Sequence, residues 1–471
     1  MKTKWILIAS AFLLALACTC NNISQIPFST PTLTSAPPTS TSTLVAPTLT
    51  PVPTESSSIY IPPECVGQPV ATLPAATTVA LPTPSLGTNP PLSKTVQLQL
   101  FDELTGPIPV DYVYPDFNGL DWPAIVAKYR AKVEGGLDTE AFYTEMHNLI
   151  NELGDNHSQF ESPLEVAAVE AELNGTNDYV GIGVQIQPMT EKGLLTILLV
   201  FPGSSAEHAG LKPHDNLLAV DGIPLVENGV AHPERVRGPA CSAAVLTVRS
   251  PGGAPRDITI MRYGIKTSIP INAQLVTTQD GSRIGYIYLP SFFDETIPGQ
   301  VKQALEKFGP LDGLILDNRM NSGGSSDIVE PIMSYFTDGV LGSFDSRTAS
   351  RPLQVSADPI NNSQTVPMVV LVGVDTVSFG EITSGVLQDI GRAKVVGQTT
   401  LGNVEILHAH DLSDGSRLWL AEERFVPLKH PQANWEQTGI IPDVQAYADW
   451  DTFTFETDPS VAAAVKLLGH H

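Results

Sequence analysis

The chain has 471 residues, enough for two or three domains, with 42% hydrophobic residues and 40 prolines that cluster rather than spread. Charged residues make up only 16%, yet the net charge is −24. That acidic balance argues against a nucleic-acid partner, because neutralising phosphates needs clustered lysine and arginine.

Residues 1–20 read as a targeting segment. Lys2 and Lys4 precede an apolar run over 5–17, which is too short to span a bilayer and fits a signal-peptide core. Leu14-Ala15-Leu16-Ala17-Cys18 resembles a bacterial lipobox, with Ala15 where leucine is usual. Cys18 is the expected lipid-bearing residue, and Cys20 is a second candidate. A cleaved secretory signal is the alternative, and export is expected either way. The other cysteines, Cys65 and Cys241, can pair in an exported chain, although no motif argues for it. No spacing marks a metal site, and no cofactor is expected. Residues 21–92 are dominated by Pro, Thr, Ser and Ala. Such a stretch buries too little apolar surface to offset chain entropy and reads as a disordered, solvated stalk.

Order is expected to begin near Ser93. Apolar residues recur at helical spacing over 96–104 and 122–133, and a third helix is expected over 139–153 with Asp138 as its N-cap. These form an expected helical domain, 93–165. From about residue 177 the period changes to two, with strands over 180–186, 194–200, 216–220 and 244–249 around a brief helix near 204–209. This is the expected β-rich domain, 166–268. From 269 to 471 strands and helices alternate: strands over 284–289, 313–317, 366–372 and 393–397, helices over 298–308, 327–337 and 379–391. Near-continuous apolar strands between helices indicate an α/β layer, whose ligands sit at the carboxyl ends of strands.

Polar clusters fall at those ends. Asp375-Thr376-Val377-Ser378-Phe379-Gly380-Glu381 lies between a buried strand and a helix. A serine at a helix N-terminus suits a nucleophile whose substrate develops an oxyanion, though on local sequence alone a helix cap is the commoner use of such a serine. Asp317-Asn318-Arg319-Met320-Asn321-Ser322-Gly323-Gly324 follows the strand 313–317. Its paired glycines let backbone N–H groups approach a substrate, where one of them would complete an oxyanion hole with the N–H of Phe379. An ordinary strand-to-helix turn has the same look. His157, in Leu153-Gly154-Asp155-Asn156-His157-Ser158, and Glu436, three residues before Gly439-Ile440-Ile441-Pro442-Asp443, supply a candidate base and a carboxylate to orient it.

In this order the clusters resemble the C-terminal processing, or tail-specific, serine protease family over roughly residues 95–446. The resemblance implies an α+β multidomain fold: an N-terminal helical domain, a PDZ-like β-rich domain and an α/β core of the ClpP/crotonase type behind a disordered stalk. It implies an endopeptidase with Ser378 as nucleophile and Gly323, Gly324 and Phe379 at the oxyanion hole. The PDZ likeness lies in Tyr179, Val180, Gly181, Ile182, Gly183 and Val184, which in such domains hold a peptide's C-terminal carboxylate while the peptide adds a strand. Cys241-Ser242 replaces the family's frequent Gly-Thr pair. Bacterial members pair the serine with a lysine twenty-five positions on; here that position is Asn403, and an amide is no general base. The related tricorn protease core instead uses serine, a histidine from the helical domain and a late glutamate. The resemblance therefore implies Ser378, His157 as base and Glu436 as its orienting group. Asp389 matches an acidic position of the lysine-type enzymes and is given no catalytic role. The expected partners are unfolded proteins or peptide C-termini, and a membrane through the lipid anchor, which would put the chain outside the cytoplasm at the cell envelope. The rival expectation is a weak or inactive peptide- or ligand-binding protein on the same scaffold.

Overall fold

The computed structural model describes residues 59–67, 71–72, 89–173, 179–265 and 268–469. The expected signal segment, Cys18 and most of the expected stalk lie outside the described residues. No helix among the described residues is long and apolar enough to cross a membrane.

Three helices open the body, Lys94–Thr105, Trp122–Gly135 and Thr139–Asn151. Each starts at a side-chain cap: Ser93 accepts from Val96 N, Asp121 from Ala124 N, and Asp138, as expected, from Ala141 N. Their apolar faces do not close on one another alone. Leu100, Phe101, Phe142 and Met146 share one buried cluster with Leu407, Leu418, Trp419 and Leu420 from far along the chain. The strand Gln159–Glu161 also pairs with Arg417–Pro427. The helices expected over 93–165 thus share their core with later strands, because three short helices bury too little surface alone.

The β-rich part is a sheet of Val184–Met189, Leu194–Val200, Asn216–Val220, Ser242–Arg249 and Arg256–Met261. Its edge is Val184–Met189, which among the described residues pairs only with Leu194–Val200. The single strand expected over 180–186 is broken. Tyr179–Gly181 pairs separately with Tyr263–Ile265, and the chain turns at Gly183, where φ is +86° and an added Cβ would lie 2.2 Å from Ser204 Cβ. Only glycine fits that turn.

Part of the expected stalk is bound to this sheet. Cys65 and Cys241 form a disulfide, with Cα atoms 5.3 Å apart. Tyr60 stacks on His208 at 3.7 Å, and Ala71–Thr72 pairs in parallel with Ser242 and Ala243. Residues 59–67 and 71–72 therefore depart from the stalk expected over 21–92. A covalent link and edge pairing supply the order that their composition does not.

The α/β part carries a six-stranded sheet in the order Asn272–Thr277, Arg283–Tyr288, Gly313–Asp317, Met368–Val372, Lys394–Gly397 and Val444–Gln445. All neighbours are parallel except the first pair. Helices Ile297–Phe308, Ser326–Phe336 and Phe379–Asp389 bury against one face in a single apolar cluster, and Pro459–Leu467 packs on the other. A second sheet of Ser350–Val355, Gly339–Asp345, Arg417–Pro427 and Gln159–Glu161, with Ile406–Asp411 against Arg417–Pro427, bridges the helices and this core.

Candidate active site

The site is assembled where the strands Gly313–Asp317 and Met368–Val372 end. Three consecutive residues of the second loop are pinned from outside. Thr376 Oγ1 donates to Asn318 O at 2.8 Å. Val377 N donates to Asn321 O, and Ser378 N to Asn403 O, both at 2.9 Å. Held this way, Ser378 takes φ +56° and ψ −125°, in the left-handed half of backbone space that a side chain disfavours by about 1–3 kcal/mol. It stands at the start of the helix Phe379–Asp389, but its hydroxyl caps nothing. The cap reading therefore fails: the oxygen is left for other chemistry at the positive end of an eleven-residue helix.

The glycine loop closes over this serine. Arg319, buried between Asp317 and Asp458 with Nη2–Oδ2 distances of 2.6 Å to both, anchors its base. An added Cβ at Gly323 would lie 2.6 Å from Ser378 Cβ and 3.1 Å from Oγ, so glycine is what permits this approach. The two glycines divide their roles, which corrects the expected oxyanion set. Gly323 N already donates to Asn321 Oδ1 at 2.9 Å. Gly324 N and Phe379 N, by contrast, have no acceptor among the described residues. They are the donor pair left for a developing oxyanion; Gly323 serves by its lack of a side chain.

His157 sits in a turn fixed by Asp155. Oδ1 of Asp155 accepts from His157 N at 2.9 Å and Ser158 N at 2.7 Å, and Oδ2 accepts from Ser158 Oγ at 2.6 Å. Ser158 Oγ in turn accepts from Ala421 N at 3.0 Å, which moors the turn to the second sheet. The carboxylate beside the imidazole is not the expected one. Glu405 Oε2 lies 3.7 Å from His157 Nδ1, whereas no ion pair or hydrogen bond joins Glu436 to His157 among the described residues. Glu436 instead accepts from Val404 N at 2.7 Å and faces Glu405. Partial burial, then the charge of Glu405, push the Glu436 carboxyl up to about 10. Burial works against ionising Glu405 too, but its neighbours His157, Glu436 and Tyr114 outweigh it and lower its pKa. The orienting role expected for Glu436 has no hydrogen bond or ion pair behind it among the described residues: its carboxyl is fastened by Val404 N and turned toward Glu405.

Glu381, three residues after Ser378, organises the turn that carries Asn403 and Glu405. Its buried carboxylate accepts from Thr400 Oγ1 at 2.5 Å and from Gly402 N and Asn403 N at 2.8 Å. Burial raises its pKa. Tyr114 OH donates to Glu405 Oε1 at 2.7 Å. Sequence reading missed Tyr114 and Glu405 because neither stands in a motif; Glu381 was visible only as a motif letter. No hydrogen bond links Ser378 Oγ to His157 among the described residues. The two are tied through residues 403–405, since Asn403 O accepts from Ser378 N and Glu405 lies beside His157. Asp389 accepts from Lys429 N and His430 Nδ1 at 2.8 and 2.6 Å, away from the serine. The expected peptide-binding residues Val180–Val184 border the sheet edge Val184–Met189. Outside the site, Asp111, His410 and Glu422 bring three atoms of ligand type within 4.8 Å of one another.

Residues 283–446 match the model of peptidase family S41. The chain is 31% identical over 376 residues to a carboxyl-terminal-processing protease of Synechocystis, covering 76% of this chain and 83% of that one. It is 27% identical over 392 residues to the chloroplastic carboxyl-terminal-processing peptidase 3 of Arabidopsis thaliana, covering 79% and 73%. Among solved structures, a photosystem II D1 C-terminal processing protease superposes with a TM-score of 0.52 at 24% identity, over 79% of this chain and 97% of that one. An S41 protease from Bacteroides fragilis gives 0.56 at 16% identity, over 78% and 96%. At such identities these two structures speak for the fold alone. The likeness in sequence, over most of both chains, carries the assignment: the chain belongs to peptidase family S41, the serine peptidases that include the carboxyl-terminal-processing proteases.

Proposed function

We propose that this chain is an exported, lipid-anchored serine endopeptidase that cleaves unfolded proteins or exposed C-terminal tails, with Ser378 as nucleophile and His157 as general base. One observation carries the reading: Ser378 is buried, stands at positive φ on a helix N-terminus, and caps nothing with its hydroxyl. Strain of this kind persists only where the surroundings impose it, and it accompanies exposed nucleophiles at strand-to-helix turns.

In the proposed reaction Ser378 Oγ attacks the scissile carbonyl carbon as its proton passes to His157. The negative charge on the carbonyl oxygen is taken by Gly324 N–H and Phe379 N–H. The imidazolium returns the proton to the leaving nitrogen as the C–N bond breaks, leaving an ester on Ser378. Water, deprotonated by His157, attacks that ester; the acid is released and the serine regains its proton. The substrate must be extended, because a folded segment cannot enter between the glycine loop and the helix.

Recruitment would fall to the β-rich part, read as a PDZ-type domain. Among the described residues the edge strand Val184–Met189 has no partner on one side, and Gly181 to Val184 lead into it, which suits strand addition with carboxylate capture. Export is supported by the apolar run before Cys18 and by the Cys65–Cys241 disulfide, which is at home in an oxidising compartment. The lipid on Cys18 would place the enzyme at the cell envelope. The lack of a hydrogen bond between Ser378 Oγ and His157 among the described residues favours the second reading, a binding protein on the scaffold.

Digestion of casein by the parent and by S378A decides between them. Cleavage by the parent and none by the variant supports the protease. Equal inactivity of both, with tight binding of peptides bearing varied C-terminal residues, supports the binding protein.

A further inference from the structure

We propose that Glu405 is the positioning residue for His157, acting on Nδ1 and held in place by Tyr114 and by the facing carboxyl of Glu436. The inference rests on the reading of Ser378 and His157 as nucleophile and base. Glu405 is 1% exposed. One of its oxygens is satisfied, since Oε1 accepts from Tyr114 OH at 2.7 Å. The other, Oε2, is buried and takes no hydrogen bond, and so is His157 Nδ1. These two orphaned atoms face each other at 3.7 Å. A buried donor and acceptor left open toward one another are the arrangement that closes once the imidazole becomes positive. With Nδ1 toward the carboxylate, Nε2 is the nitrogen left to act as the base.

The backbone places Glu405 for this task. The turn over residues 400–403 is locked to Glu381 on the nucleophile helix by three hydrogen bonds. Asn403 O accepts from Ser378 N. Two residues later comes Glu405. One short segment thus sets the nucleophile's backbone and the base's carboxylate in a single register. Glu436 completes the pair: it is fastened by Val404 N, and two carboxyls this close hold one proton between them. Burial and the charge of its neighbour put that proton on Glu436. His157 then meets a single negative charge rather than two, and the Glu436 carboxyl faces Glu405 without adding a second one.

The test compares E405Q, E436Q, H157A and S378A of the full chain on casein, with melting temperatures measured in parallel. E405Q keeps the shape and removes the charge. It is expected to lower kcat by roughly 10²–10⁴-fold with KM within about twofold, since the substrate is untouched. E405D, which restores the charge, is expected to recover at least about tenfold of that loss. E436Q replaces a neutral acid by a neutral amide, so its loss is expected to be at least about tenfold smaller than that of E405Q. Should E405Q melt below the assay temperature, Y114F is the second variant, with kcat expected to fall about tenfold at unchanged KM. H157A as active as the parent would mean the base reading has failed and the proposal with it. H157A inactive with E405Q within threefold of the parent overturns the proposal alone, as does a loss in E436Q equal to or larger than that in E405Q, or an unchanged Y114F.

Discussion

Replacing Gly323 by alanine separates a role in catalysis from a role in folding. The added Cβ would sit 2.6 Å from Ser378 Cβ, where non-bonded carbons settle at about 3.5–4.0 Å. Something must therefore retreat by about 1 Å. Gly323 is tied through Asn321 Oδ1, and Ser378 is pinned at Val377 and at its own N–H. Turning the Ser378 side chain moves Oγ but not Cβ, so one of the two loops must shift and carry the serine hydroxyl out of place. A displacement of about 1 Å at a reacting atom costs on the order of 10²-fold in rate, or about 2.7 kcal/mol of barrier. The backbone adds about 1–2 kcal/mol of instability, because Gly323 has φ +86°. Gly136 provides the control: it has φ +87° but nothing within 4 Å of an added Cβ, so G136A carries the strain without the collision. Casein cleavage and thermal melting are measured for both. Both variants are expected to melt a few degrees lower, and only G323A to lose about a hundredfold in kcat/KM. A G323A enzyme with more than a third of parental activity would refute the claim that this glycine exists to admit the nucleophile.

Glu381→Ala leaves the Thr400 hydroxyl and two buried N–H groups without their acceptor; a loss of about 3 kcal/mol or more is expected by urea unfolding, along with activity, because the turn that carries Asn403 and Glu405 is released. Glu423, buried beside His408 and Arg351, is a pH-sensitive contributor: burial opposes its ionisation, but His408 and then Arg351 hold it down to about 2 against an ordinary 4.5. Its folded pKa is depressed, so its contribution, at most about 3 kcal/mol, is complete above pH 4.5 and fades as pH falls toward 2. The gap in melting temperature between the parent and E423Q should narrow over that window; a constant gap would exclude the linkage.

The elements legible in the sequence were those whose determinants are local. Asp138 caps the helix Thr139–Asn151 because an aspartate before an apolar-periodic run has few other uses. The strand Gly313–Asp317 was readable in full because an unbroken apolar run between helices has one place to go, the middle of a parallel sheet. The nucleophile loop and the glycine loop were visible for the same reason: each is a short peptide whose chemistry is written in adjacent residues. The long strand Arg417–Pro427 was not visible. Arg417, Glu422, Glu423 and Arg424 interrupt its pattern, and their places are set by partners on three other strands.

The division is clearest at the carboxylates. The sequence by itself determined that a serine would begin the helix Phe379–Asp389, that glycines would end the neighbouring strand, and that a lysine base was missing at Asn403. Which carboxylate would meet His157 was decided only by the tertiary structure. Glu405 and Glu436 lie in separate segments, and His157 reaches them from a turn moored to Ala421. Helix and strand patterns follow from interactions a few residues apart, which a sequence displays directly. The ionisation of a carboxyl depends on burial and on charges brought from hundreds of residues away, and those exist only once the chain has closed on itself.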